Sequence, residues 1–104
     1  MKTKELRKAI INDYLKQWVT GDWIINKDGS VDVYGTVHVK NFSGTKLPFK
    51  FGIVTGVFDC NSRSVKYLDN WPNEVGCTVW FLTSENINKD EILKVVKITA
   101  EYNR

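Results

Sequence analysis

Three stretches decide how this chain folds: "GTVHVK" at residues 35–40, "GVFDCN" at 56–61 and "CTVWFL" at 77–82. Each begins 21 residues after the one before. With that step, Val33, Val54 and Val75 coincide, as do Val37, Phe58 and Val79, and as do Val39, Cys60 and Phe81. Leu47 falls on Leu68. Apolar columns in register at a fixed period are the mark of a structural repeat.

A unit of 21 residues with one short strand is too brief to return antiparallel within a sandwich. It is long enough to wind once and set the next strand parallel beside the last. The expected class is therefore α+β: a short parallel β-solenoid with an N-terminal helix and β-hairpin cap and a C-terminal closing segment. Strands are predicted over residues 35–40, 56–61 and 77–82, stacked about 4.8 Å apart. Pro48 and Pro72 fall in the return arms, where proline removes no ladder hydrogen bond.

Working outward, residues from Lys2 to Trp18 carry Leu6, Ala9, Ile10, Tyr14 and Leu15 at helical spacing, with Gly21 placed to stop the helix. "DWIINKDGSVDVYG" holds two β-rich runs around Asp28-Gly29, which predicts a hairpin. "KDEILKVVKITAEYNR" fits a helix from near Asp90 through Ile92, Leu93, Val96 and Ala100, and its β-branched residues fit a strand equally. Either form closes an open end that would otherwise invite aggregation. The chain reads as one domain, with residues 1–34 as helix and hairpin cap, 35–87 as three rungs and 88–104 as C-terminal cap.

Of the 104 residues, 42% are hydrophobic and 12% aromatic, which suits a modest packed core and argues against disorder. The net charge of +3 is spread along the chain, so nucleic-acid binding is allowed without being indicated. No apolar run is long enough for a membrane span and the Lys-rich start does not resemble a secretory signal. An intracellular, cytoplasmic protein with reduced thiols is expected. Cys60 and Cys77 take inward columns too far apart along the strand for a disulfide and read as core thiols. With one His, no phosphate loop and no metal-ligand cluster, neither an enzyme nor a cofactor is expected.

The order of features in "DGSVDVYGTVHVKN", "LPFKFGIVTGVFDC" and "VKYLDNWPNEVG" resembles short leucine-rich-repeat-like proteins encoded mainly in bacteriophages and prophages. The resemblance covers about residues 22–82. It departs from that pattern at Gly44, where a leucine is usual, and at Trp80-Phe81-Leu82, which replaces an Asp-Cys pair. It implies a non-enzymatic, protein-binding solenoid of phage origin. By association with small phage proteins, it further implies an anti-CRISPR-like inhibitor of a host defence system.

Strand alternation sends the residues between the apolar columns outward. These are Thr36, Val57 and Thr78; His38, Asp59 and Trp80; and Lys40, Asn61 and Leu82. His38, Asp59, Trp80, Lys40, Leu82 and Val57 are the candidate partner-binding residues, the partner implied by the resemblance being a host protein such as a nucleic-acid-guided defence effector. Trp80 is either an anchor for that partner or covered by the closing segment. His38 beside Asp59 invites a triad reading in which the carboxylate favours a charged imidazole, but no nucleophile is placed to complete it. Trp18 and Trp23 are expected to fasten helix to hairpin, and Trp71 to pack on the edge. Lys4, Arg7, Lys8 and Lys16 give the helix a basic side, a solvated face unless it meets an anionic partner such as RNA. Self-association through an open strand edge is a further expectation.

Overall fold

The chain passes straight from helix into sheet. The structure, a computed structural model, describes residues 3–83 and 87–99. Helix α1 spans Thr3–Trp18, with Glu5 in its first turn and Lys16 in its last, each complementing the helix dipole. Strand β1, Val19–Ile25, follows with no loop, where the sequence turns to Val19-Thr20 and to Ile24-Ile25. Gly21 is thus a strand residue and not the helix stop expected of it. The buried stripe of α1 is Ile11, Leu15 and Trp18, whereas Leu6 and Ile10 are exposed, so the helix is rotated from the face read in the sequence.

The expected hairpin is present, and it does more than cap. Strand β2, Val31–His38, pairs antiparallel with β1 along its length, from Val19↔Val37 to Ile25↔Val31. It runs through the boundary drawn at Tyr34, so that hairpin and first repeat unit share one strand. A strand has two edges, and β1 takes one of them. On the other, β3, Phe51–Val54, pairs with the first half of β2 and β4, Phe58–Cys60, with the second half. Then β5, Glu74–Val75, pairs with β3, and β6, Val79–Phe81, pairs with β4, all of them parallel.

The three-rung solenoid is corrected by this topology. The strands make one open, mostly parallel seven-stranded sheet in the order β6-β4-β2-β3-β5-β7, where β7 is Lys97–Ile98, with β1 on β2. Windings do not close, because residues 39–50 and 61–73 form no strand that could face the sheet. The unit is also split: residues 55–57 and 76–78 interrupt each later strand near Gly56 and Gly76. There a Cβ would lie 2.6 Å from the Gly35 carbonyl oxygen and 2.2 Å from that of Thr55. From Val33 onward the register nonetheless follows the step seen in the sequence, with Val37↔Phe58↔Val79 and Val33↔Val54↔Val75 as direct neighbours, whereas Val31 pairs with Phe51 across a register shift.

The ambiguous C-terminal segment is both of its alternatives in turn. Helix α2, Lys89–Val95, is capped by the Asn88 side chain, which accepts from the Glu91 backbone N–H at 3.0 Å. Strand β7, Lys97–Ile98, then pairs parallel with β5, with Ile98 beside Val75. Residues 100–104 of that expectation lie outside the described residues.

The core lies between the inward face of the sheet and the covering helices and arms. Val33, Val37, Val54, Phe58 and Val75 meet Leu15, Trp18, Leu47, Phe49, Trp71 and Ile92. Stacked, tilted and edge-to-face rings run from Tyr14 through Trp18, Phe49, Phe51 and Phe58 to Trp71, with centroids 4.8–6.1 Å apart. Trp18 also donates its Nε1 proton to the Lys40 carbonyl at 2.8 Å, and Trp23 donates to Asn12 Oδ1 at 3.0 Å, so both indoles fasten α1 to the sheet. Lys50 reaches across the arms to the Trp71 carbonyl, and the burial this requires holds its ammonium below the usual lysine range.

Gly21 and Gly35 oppose each other across the hairpin, at φ +124° and +154°. A Cβ on Gly35 would fall 2.1 Å from the Thr20 carbonyl oxygen, whereas a Cβ on Gly29, at φ +89° in the turn, would meet no atom within 4 Å. Gly35→Ala is therefore expected to lose about 2 kcal/mol or more in urea unfolding, from strain and backbone clash together, and Gly29→Ala only about 1 kcal/mol from strain. Equal losses would show that the two strands do not approach as closely as described.

Candidate functional site

Alternation along β2, β4 and β6 turns one set of side chains away from the core. His38 is paired with Asp59, and Asp59 with Trp80, as direct neighbours across adjacent strands. His38 Nδ1 and Asp59 Oδ2 lie 3.1 Å apart, in a pair whose side chains are 53% and 25% exposed. Asp59 Oδ1 is buried without a hydrogen-bond partner among the described residues, so the carboxylate is held from one side only.

Trp80 is 61% exposed and Leu82, just past the strand, 39%. Closure of the chain by α2 and β7 does not bury the indole, because β7 lies against β5 and not against β6. Among the described residues β6 has a strand partner only in β4. Lys40 is exposed beyond the end of β2. Val57 is half-buried, with its backbone N–H 3.3 Å from Thr36 Oγ1, and offers less surface than its outward position suggested.

A second outward row escaped the sequence reading. Asp32, Ile53, Glu74 and Lys97 align beside the first row: Ile53 pairs with Glu74 and Glu74 with Lys97, and Asp32 Oδ1 accepts the Ile53 backbone N–H at 2.9 Å. Exposed Ile24 and Tyr34 stand near its start on β1 and β2. The signal was present, since Asp32, Ile53 and Glu74 also step by 21, but starting the unit at Gly35 left it out. A separate apolar cleft of about 180 Å³ lies between β6 and α2, lined by Val79, Phe81, Ile92 and Leu93.

The triad reading gains no hydroxyl here. Ser62 and Ser64 both donate to the Phe42 carbonyl, at 3.4 and 2.9 Å, and lie 3.1 Å from each other. Among the described residues no cluster of His, Cys, Asp and Glu is placed to hold a metal ion. No helix of the described residues is long and apolar enough to cross a membrane.

The basic residues of α1 do not act as one surface. Arg7 and Lys8 line a cleft against the β1–β2 turn, together with Lys27, and Lys16 is exposed at the far end of the helix. The Lys4 side chain lies outside the described residues.

Comparison with protein families, with curated proteins and with solved structures gives no match.

The two cysteines differ, which corrects their shared reading as core thiols. Cys60 is buried on β4, and burial pushes its thiol up to about 12, whereas Cys77 precedes β6 and is exposed. A thiol with so high a pKa stays protonated through neutral and mildly alkaline pH, and only the thiolate attacks an electrophile. At pH 8 an aromatic disulfide reagent should therefore modify Cys77 alone in the native protein, and Cys60 only after unfolding. Rapid modification of both native thiols would contradict the burial of β4.

Proposed function

We propose that the protein is a non-enzymatic interaction module that engages another protein through the outward face of its sheet and acts by covering part of that partner. The observation that carries this reading is Trp80, 61% exposed on the edge strand β6, in register with the His38–Asp59 pair and followed by Leu82. A large amphipathic ring left in water loses favourable burial that a partner would restore, and tryptophan is enriched where a few side chains dominate binding. Around it the polar pair and Lys40 supply a rim able to choose among partners by charge and geometry.

The resemblance to phage-encoded repeat-like proteins supports a narrower version: an inhibitor that occludes a host defence effector, such as a nucleic-acid-guided one. Occlusion requires no chemistry of the bound surface, only complementary shape and a central anchor.

The test is to capture partners from bacterial lysate with the intact chain, purify the one recovered, and titrate it with the native protein and with Trp80→Ala. The variant is expected to stay folded by circular dichroism and to bind more weakly by about 2 kcal/mol, roughly a 30-fold rise in Kd. A folded Trp80→Ala chain that binds with unchanged affinity would remove the face from the reading.

A further inference from the structure

A cleft of about 120 Å³ opens where the second turn of α1 faces the β1–β2 turn, and it shares no residue with the His38–Asp59–Trp80 row. Its apolar lining is Ile11, which is buried, and Ile25, and three cationic side chains from two separate elements line it as well: Arg7, Lys8 and Lys27. The ion pairs formed among the described residues join His38 to Asp59 and Lys94 to Glu91, so none of the three cations is neutralised in this way.

One carboxylate, Asp28, also belongs to the lining. It is already engaged: the Ser30 hydroxyl donates to its Oδ1 at 2.7 Å and the Ser30 backbone N–H at 2.9 Å, and these bonds hold its carboxyl below the usual range. Asn26 is drawn the same way, donating from Nδ2 to Ser30 Oγ at 3.0 Å, while Gly29 N–H closes the turn onto the Asn26 carbonyl. The turn is thus braced by its own polar groups, with Lys27 inside it, and the lining keeps an excess of positive charge.

Cations gathered at one cleft repel one another, and an anion placed among them relieves that repulsion, the more so at low salt. A guanidinium offers two parallel N–H donors to a tetrahedral oxyanion, and ammonium groups supply point charge around it. The space is enough for one small oxyanion.

We propose that this cleft is a binding site for a phosphate group, with Arg7 as the paired donor and Lys8 and Lys27 completing the charge. The site is independent of the protein-binding face. Two sources carry the same chemistry, free phosphate and the phosphodiester backbone of a single-stranded nucleic acid, and one of those groups would enter while the remainder of a polymer stayed outside.

The experiment is an amide NMR titration of the full chain with sodium phosphate, with oligothymidylate in a second arm, and with sodium chloride at matched ionic strength as reference. Saturable shifts centred on Arg7, Lys8, Lys27 and Gly29 are expected with phosphate and not with chloride. The double variant Arg7→Gln, Lys27→Gln, both of them exposed residues, should keep the native urea midpoint and weaken binding at least about tenfold. Tighter binding of oligothymidylate at the same amides, falling steeply with salt, would assign the phosphate to a nucleic-acid backbone; binding of inorganic phosphate alone would assign it to a free anion. Shifts equal in chloride, no saturation in either arm, or unchanged affinity in the double variant would overturn the proposal.

Discussion

Everything in the sheet depends on β2 having both edges filled. Its antiparallel partner β1 occupies one edge from end to end, so β3 and β4 must share the other, one on each half of the same eight-residue strand. That division turns one continuous strand into a pair of shorter parallel tracks, β3 to β5 to β7 and β4 to β6. Because the tracks inherit the register of β2, side chains 21 residues apart become neighbours, and the inward ones stack as Val33, Val54 and Val75 or Val37, Phe58 and Val79. The outward row of His38, Asp59 and Trp80 follows from the same register.

The stacking was legible in the sequence because apolar identity at a fixed step survives translation into strand pairing whatever encloses it. What encloses it was not legible. A period reports which residues are neighbours across strands, and it does not report whether the intervening arms form strands of their own, so a closed coil was expected where an open sheet is found. Gly35 shows the same limit at one residue. Read as the start of a unit, it lies within β2, where its positive φ and the Thr20 carbonyl against it admit only glycine. Gly21 was read as a helix stop for the related reason that a glycine marks unusual backbone without saying which kind.

Of the candidate face, the row on the second half of β2 was found and the row on its first half was missed, since the unit was begun four residues into the strand. Cys77 was placed inside by counting columns, yet it falls in the break before β6, where alternation no longer applies. Lys27 is not among the basic residues that the sequence singles out. Its proximity to Arg7 and Lys8 arises from the way α1 runs back along the hairpin, a tertiary fact with no local signature. The C-terminal segment was ambiguous because it is short in both of its forms, seven residues of helix and two of strand, and neither length lets periodicity decide.

The most direct measurement is the pattern of nuclear Overhauser contacts between backbone protons of β2, β4 and β6. Parallel contacts that link His38 with Asp59 and Asp59 with Trp80, alongside antiparallel contacts from Val19–Ile25 to Val31–Val37, are the result required by a β2 with both edges filled. Antiparallel contacts between the segments at Phe58 and Val79, or a β2 without contacts to Phe58, would contradict it and dissolve the outward row with it.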